Sequence, residues 1–217
     1  MNKIFFLSTF FLFCATAINS QTLYLQTGIA YSELDWILSE QGGYREVRFM
    51  RPVTGYAMSL GLEYADKGLF SLSSEASFYR TGGKYTEEEE IRLRHYSEII
   101  VDYASIGTYV NINPISGATK LQLQMGPRVD VLLGDKDQND LFFINERNAL
   151  AEINYGFNLG LGLYQYLGKM RLGLQGVWLQ RFNKLIDLGI GDSALGFGIR
   201  AEETIFLFQL SIGYKLK

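Results

Sequence analysis

The most suggestive chemical grouping in this 217-residue chain is His95-Tyr96-Ser97, followed directly by Glu98. A histidine and a serine two positions apart on one strand face, with a carboxylate to orient the imidazole, are the parts of a hydrolase triad acting on lipid. The spacing opposes that use: Glu98 points to the other face, and the next strand residues, Tyr109, Val110 and Asn111, supply no carboxylate. His95 therefore reads as a rim histidine. A second grouping, Asp135, Asp137 and Asn139 with Glu146, has the oxygen ligands of a calcium loop at positions one, three, five and twelve. Asp140 stands where that loop needs glycine and no helices flank it, so a solvated acidic loop is expected. One histidine and one cysteine leave no set for a zinc or iron site and no pair for a disulfide. No catalytic residue, metal site or cofactor is assigned.

Stepping from single residues to the segments that carry them, the dominant signal is strict alternation. Tyr56, Met58, Leu60, Leu62 and Tyr64 alternate with Gly55, Ala57, Ser59, Gly61 and Glu63. The pattern returns at Phe70–Phe78, at Leu121–Leu133, at Ile153–Leu163 and at Phe206–Leu216, and each run reads as a strand with one apolar face. Leu23–Tyr31 and Met170–Trp178 are noisier strands. Glu98–Ile112 begins with Ile99, Val101 and Tyr103 on the apolar face and changes phase near Ser105, which predicts a bulge there. Eight strands result. Short turns at Asp66-Lys67-Gly68, Asn113–Gly117 and Leu167-Gly168-Lys169 alternate with long connections at about 32–53, 81–95, 134–149 and 182–203. That asymmetry is the one expected of outer-membrane barrels, with periplasmic turns and extracellular loops.

Alternation alone does not say which face looks outward, and a soluble lipocalin-like binding barrel remains the structural alternative. The polar face is rich in small residues, Gly156, Gly160, Gly162, Ala57, Gly61, Ser71, Ser73 and Ser77 among them. A narrow eight-stranded interior accommodates such residues, whereas a water-facing exterior would carry long charged ones. Roughly thirty apolar-face positions in the five clean strands carry no charge, which chance would give in roughly a few per cent of cases after free choice of face. The expected fold is all-β, an eight-stranded antiparallel up-and-down transmembrane β-barrel with its polar face inward. Glu63, Glu75, Asp102, Lys120, Arg128, Asp130, Glu152 and Arg171 then form an interior polar network. Unpaired, such groups would each cost several kcal/mol, so a salt-bridged, hydrated filling is expected rather than a pore.

Residues 1–20 are read as a cleaved signal peptide and residues 21–217 as the barrel domain. Lys3 precedes the apolar run Ile4–Phe13, and Ala15-Thr16-Ala17 supplies the small residues of a cleavage site. Cleavage after Ala17 and after Ser20 both fit, and Gln21 is taken as the mature N-terminus. A run of ten apolar residues is too short for an anchor. Phe13 before Cys14 is not the small residue that a lipidation signal wants. A net charge of -3, from 20 basic and 23 acidic residues, excludes nucleic-acid binding by bulk charge.

The segments Gly126-Pro127-Arg128-Val129-Asp130-Val131-Leu132-Leu133, Gly160-Leu161-Gly162-Leu163 and Phe208-Gln209-Leu210-Ser211-Ile212-Gly213-Tyr214-Lys215, in this order, resemble the PorT-type outer-membrane β-barrel proteins. The resemblance spans nearly all of residues 21–217 and implies an integral outer-membrane barrel of a Gram-negative bacterium. It implies no single activity, since some relatives are linked to protein secretion. Lys217 departs from the terminal aromatic usual in such strands. His95-Tyr96-Ser97 resembles the His-x-Ser of outer-membrane lipid A deacylases.

The expected role is non-enzymatic: loops or barrel wall bind a partner in secretion, adhesion or envelope maintenance. The alternatives are a lipid A hydrolase using His95 and Ser97, and a narrow pore. Outer-membrane lipid and lipopolysaccharide are expected to surround the barrel, with a protein partner reached through the long loops. The first of these carries Trp36, Tyr44, Phe49 and Met50 with Arg45, Arg48 and Arg51, a mixture that suits either a partner surface or an interfacial girdle. Glu87–Glu90 reads as a solvated loop tip, or weakly as a site for divalent ions bridging lipopolysaccharide.

Overall fold

Chains that alternate at period two fold into sheets, and a sheet avoids exposed edges by closing on itself. The computed structural model describes residues 21–40, 43–48, 51–87, 95–137, 151–183, 186–188 and 198–216, with side chains over 21–34, 51–84, 99–134, 151–183 and 202–216. The proposed signal peptide lies outside the described residues, as does Lys217. The strands are β1 (Thr22–Glu40), β2 (Gly43–Arg48), β3 (Arg51–Tyr64), β4 (Phe70–Glu87), β5 (His95–Ile115), β6 (Thr119–Asp137), β7 (Ile153–Leu167), β8 (Met170–Arg181), β9 (Ile186–Leu188) and β10 (Gly198–Lys215). Eight of them run β1-β3-β4-β5-β6-β7-β8-β10, each antiparallel to its neighbours, and β1 pairs with β10 to close the barrel. The expected eight-stranded antiparallel barrel is the fold observed.

The faces are ordered as the small-residue argument requires. Along β10, Phe206, Phe208, Leu210, Ile212 and Tyr214 are exposed, while Gln209 and Ser211 are buried. Along β7, Leu159, Leu161 and Leu163 are exposed and Asn158 and Tyr164 are buried. A water-soluble barrel would reverse this, so the exposed wall is the surface that meets hydrocarbon. From Phe206 to Tyr214 the wall rises about 21 Å at a strand tilt of roughly 40°, close to the apolar band of membrane barrels. Tyr31, Tyr56, Tyr155, Trp178 and Phe206 ring its upper edge and Phe70 and Tyr214 stand at its lower edge, all on the outer surface.

The short turns lie together at the end that also holds Gln21 and Leu216, whose backbones are bonded. The first of them uses a left-handed Ala65 and Gly68, and Gly68 N–H donates to Asp66 Oδ1 at 2.8 Å. By the general asymmetry of such barrels this is the periplasmic end.

Two expectations are corrected at the opposite end. Much of the sequence assigned to long loops is strand: β1 continues to Glu40, β4 to Glu87 and β6 to Asp137, and β10 begins at Gly198. Two short strands, β2 on β1 and β9 on β10, extend the same sheet above the wall. The phase change expected near Ser105 is absent. The inward face of β5 runs unbroken through Val101, Tyr103, Ser105, Gly107, Tyr109 and Asn111, and the irregularity is in its partner: Asp102 pairs with Gly134 but Tyr103 with Leu132, so β6 carries the extra residue.

Candidate functional site: the filled lumen

Closing eight strands forces side chains from opposite walls into contact, and the lumen is built from the glycines outward. An added Cβ at Gly61 would fall 2.1 Å from the Tyr24 ring, and one at Gly162 2.5 Å from the Tyr164 ring. The small residues of the inner face are therefore the floors on which interior tyrosines lie.

Near the periplasmic end Glu63 is the hub. Its Oε1 accepts from Lys120 Nζ and from Ser71 Oγ at 2.6 Å, and its Oε2 accepts from Arg171 Nη1 at 2.6 Å. The Arg171 guanidinium is sandwiched between Tyr24 and Tyr164, 4.7 and 4.4 Å from the ring centroids. One carboxylate thus holds two buried cations, and two aromatic faces share the positive charge.

At mid-height five uncharged polar side chains cross the lumen. Ser59 donates to Gln26 at 2.9 Å, Gln26 donates to Gln175, Gln175 donates to Gln124, and Gln124 donates to Ser73 at 3.4 Å. The chain links β3, β1, β8, β6 and β4. Glu75 lies beside it, accepting from the Tyr24 hydroxyl at 3.4 Å, and Asn158 donates to the Tyr109 hydroxyl at 2.7 Å.

Toward the outer end Arg128 Nη1 donates to Tyr79 at 2.7 Å and to Asp130 at 3.0 Å. Arg181 Nη1 donates to Glu203 and to the Tyr103 hydroxyl, and its guanidinium lies 4.3 Å from that ring's centroid. Leu34, Val53, Ile99, Val101, Leu179, Ile205 and Leu207 are buried on the same inward face. The top of the lumen is therefore an apolar plug with ion pairs set into it.

Of the eight residues expected inside, Glu63, Glu75, Lys120, Arg128, Asp130 and Arg171 are buried in the lumen. Two are not. Asp102 faces outward, where it accepts two bonds from Arg80 at 2.7 and 2.8 Å. The sequence predicts it inside because Ile99, Val101 and Tyr103 are apolar and so resemble a lipid-facing set, but these line the plug, and apolar residues mark lipid only at the height of the bilayer. Glu152 is exposed in the bend before β7, and only its backbone carbonyl is engaged, by Leu132 N–H at 2.9 Å. Alternation was extended one residue past the start of the strand. Conversely, the sequence reading does not single out Glu203, at the end of the connection expected over 182–203, or Arg181, just before that connection. Continuing the inward parity of Arg171 and Gln175 up β8, and of Ser211 and Gln209 up β10, would have found both. Among the described residues the buried acidic side chains are then Glu63, Glu75, Asp130 and Glu203 and the buried basic ones Lys120, Arg128, Arg171 and Arg181, four of each.

The remaining motifs fall where little chemistry is resolved. His95 and Ser97 belong to the start of β5, paired in register with Glu87 and Tyr85, and their side chains lie outside the described residues. Asp135 and Asp137 are the last turns of the pleat in β6, paired with Val101 and Ile99, so extended backbone runs where a calcium loop would wrap; Asn139 and Glu146 lie outside the described residues. Trp36, Tyr44, Arg45 and Arg48 lie on β1 and β2, again without described side chains, and Phe49, Met50 and Glu88–Glu90 are outside the described residues.

The whole barrel superposes on the outer membrane protein OprG from Pseudomonas aeruginosa with a TM-score of 0.55 at 11% identity, over 90% of this chain and 96% of that one. The fold is that of an outer-membrane β-barrel. It is also similar to the outer membrane protease OmpT from Escherichia coli, with a TM-score of 0.50 at 10% identity over 91% of this chain and 97% of that one. No protein-family model and no curated protein sequence matches the chain. With a hydrocarbon-facing wall around a closed barrel, the protein is integral to the outer membrane. The architecture is shared with a protease and does not by itself decide activity, which has to be argued from the site.

Proposed function

We propose that this barrel is a non-enzymatic anchor that presents a β-structured platform outside the membrane to a protein partner. The observation that carries the reading is the overshoot of the strands. Above Tyr31 the β1 strand continues nine residues to Glu40, about 23 Å along the barrel axis, paired on one side with β10 and on the other with β2. Extended, paired backbone of that length above a lipid band serves no purpose in spanning it. The filled lumen supports the same reading, because the Ser59–Gln26–Gln175–Gln124–Ser73 chain and the apolar plug cross the described part of the route a solute would take. Membership in the PorT-type family, suggested by the segments around Arg128, Leu161 and Gln209, fits a role in secretion or envelope maintenance and is proposed on that resemblance. The mature chain is proposed to begin at Gln21, which an intact mass of the membrane-extracted protein checks.

Photo-crosslinkable residues placed at Glu33 and Glu202, both exposed above the wall, test the platform in intact cells. Discrete protein adducts at these positions, absent when the same group replaces Ser116 at the periplasmic end, are the expected outcome. Adducts at Ser116 alone would remove the platform reading. Single-channel recordings in planar bilayers are expected to be silent, and lipid A from cells carrying His95→Ala is expected to have an unchanged mass profile.

A further inference from the structure

Charged side chains on the lipid-facing surface of a barrel are costly at mid-bilayer and cheap at its edges, so where they cluster marks a headgroup level. Among the described residues, the cations at the outer end of this wall gather over one seam. Arg80 is on the outer surface: its guanidinium lies 5.0 Å from the centroid of Tyr56, an exposed residue of the upper girdle that stacks on Phe78 at 5.6 Å. Asp102 beside it accepts two bonds from Arg80 and fixes its plane.

The β3–β4 register brings further cations to the same place. Pro52 pairs with Gly83 but Ala57 with Tyr79, so β3 holds one extra residue. The bulge lets Pro52 and Val53 both turn from the outer face and brings Arg51 opposite Lys84, on the face of Arg80. Arg51 and Lys84 are exposed. Three cations thus gather at and above the aromatic edge on this seam, with Asp102 bound to Arg80 and Glu98 opposite Lys84 in the β4–β5 register. The rim is not uniformly basic, because Glu33 and Glu202 occupy the corresponding height over β1 and β10.

We propose that Arg51, Arg80 and Lys84 form a docking site for the phosphate of an outer-leaflet glycolipid of the lipid A type. Its acyl chains would lie along the wall below Tyr56 and Met58. A guanidinium held in plane, as that of Arg80 is, suits the two or three oxygens of a phosphate, and an anchored lipid supplies that group at the height where the cations stand. The site takes a lipid and lies over the β3–β4 seam, whereas the platform is probed over β1 and β10 for a protein, so the two proposals fail separately.

The test uses the full mature protein in detergent micelles and native mass spectrometry with bis-phosphorylated lipid A, set against the same lipid after dephosphorylation. The wild-type barrel should retain the phosphorylated lipid at least tenfold more strongly. Arg51→Ala/Arg80→Ala/Lys84→Ala should abolish the preference, while Lys67→Ala/Lys169→Ala at the opposite rim should leave it unchanged. Heat-modifiable gel mobility reports folding. Should the triple variant fail to fold, Arg51→Ala/Lys84→Ala, which keeps the Arg80–Asp102 pair, should still reduce the preference at least threefold. Equal retention of the two lipids by wild type, an unchanged preference in a folded variant, or displacement of lipid A by millimolar inorganic phosphate would each overturn the assignment.

Discussion

Glu63 concentrates more of the interior electrostatics than any other described side chain. It is 2% exposed and answers two cations that come from β6 and β8, far away in sequence. Removing its charge leaves Arg171 without a counter-ion among the described residues and leaves Lys120 with only the part-exposed Asp66 carboxylate, 3.9 Å away. Glu63→Gln is therefore expected to destabilise the barrel by about 3 kcal/mol or more, read from urea unfolding in lipid vesicles. Arg171→Met alone should also be costly, while the double variant should recover part of the loss, because an uncompensated charge is worse than none. Additive effects of the two substitutions would show that the pair does not act as a unit. At this scale the sequence was informative about type but not about partner. The charged residues of the inner face could be picked by parity, yet nothing in the chain told that Glu63 would meet Arg171 rather than Arg128.

At the scale of strands, coiling is set by positions that tolerate no side chain. A Cβ on Gly28 of β1 would fall 1.9 Å from the carbonyl oxygen of Phe208 in β10, and one on Gly55 of β3 would fall 2.0 Å from that of Arg80 in β4. These contacts are with backbone, which no rotamer change relieves, and they mark where neighbouring strands bend around the barrel. Gly28→Val is expected to prevent closure of the β1–β10 seam, seen as loss of heat-modifiable mobility after refolding into detergent. Gly176→Ala, whose Cβ would meet only Phe208 ring atoms near 4 Å, should fold normally. Strand centres were legible because an apolar face there alternates with one of polar or small residues. Strand ends were not, because above the membrane the interior becomes apolar too and polarity no longer separates the faces. That is why Ile99, Val101 and Tyr103 were read as lipid-facing and Asp102 as interior.

At the scale of the molecule the outer wall is the determinant of where the protein resides. Leu161, at mid-height and 53% exposed, sits among Leu123, Leu159 and Leu163 on the face turned to hydrocarbon. Leu161→Arg should lower stability in bilayers by about 2–4 kcal/mol, and the same substitution at Ile153, nearer the edge, by about 1 kcal/mol or less. Equal costs at the two depths would contradict the placement of the band. A lipid-soluble photoprobe should likewise label Leu123, Val131 and Leu161 and spare Gln122, Asp130 and Gly160.

The sequence by itself determined the number of barrel strands, their antiparallel order and the face that meets lipid. Each follows from local regularities, period-two polarity and the position of turn residues, and these do not depend on distant contacts. The tertiary structure decided what fills the barrel and how far it projects. Closure brings together residues such as Gln26 and Gln175, or Glu63 and Arg171, through a strand tilt and stagger that no local pattern encodes. It also decides which apolar runs lie above the bilayer, where hydrophobicity means packing rather than contact with lipid.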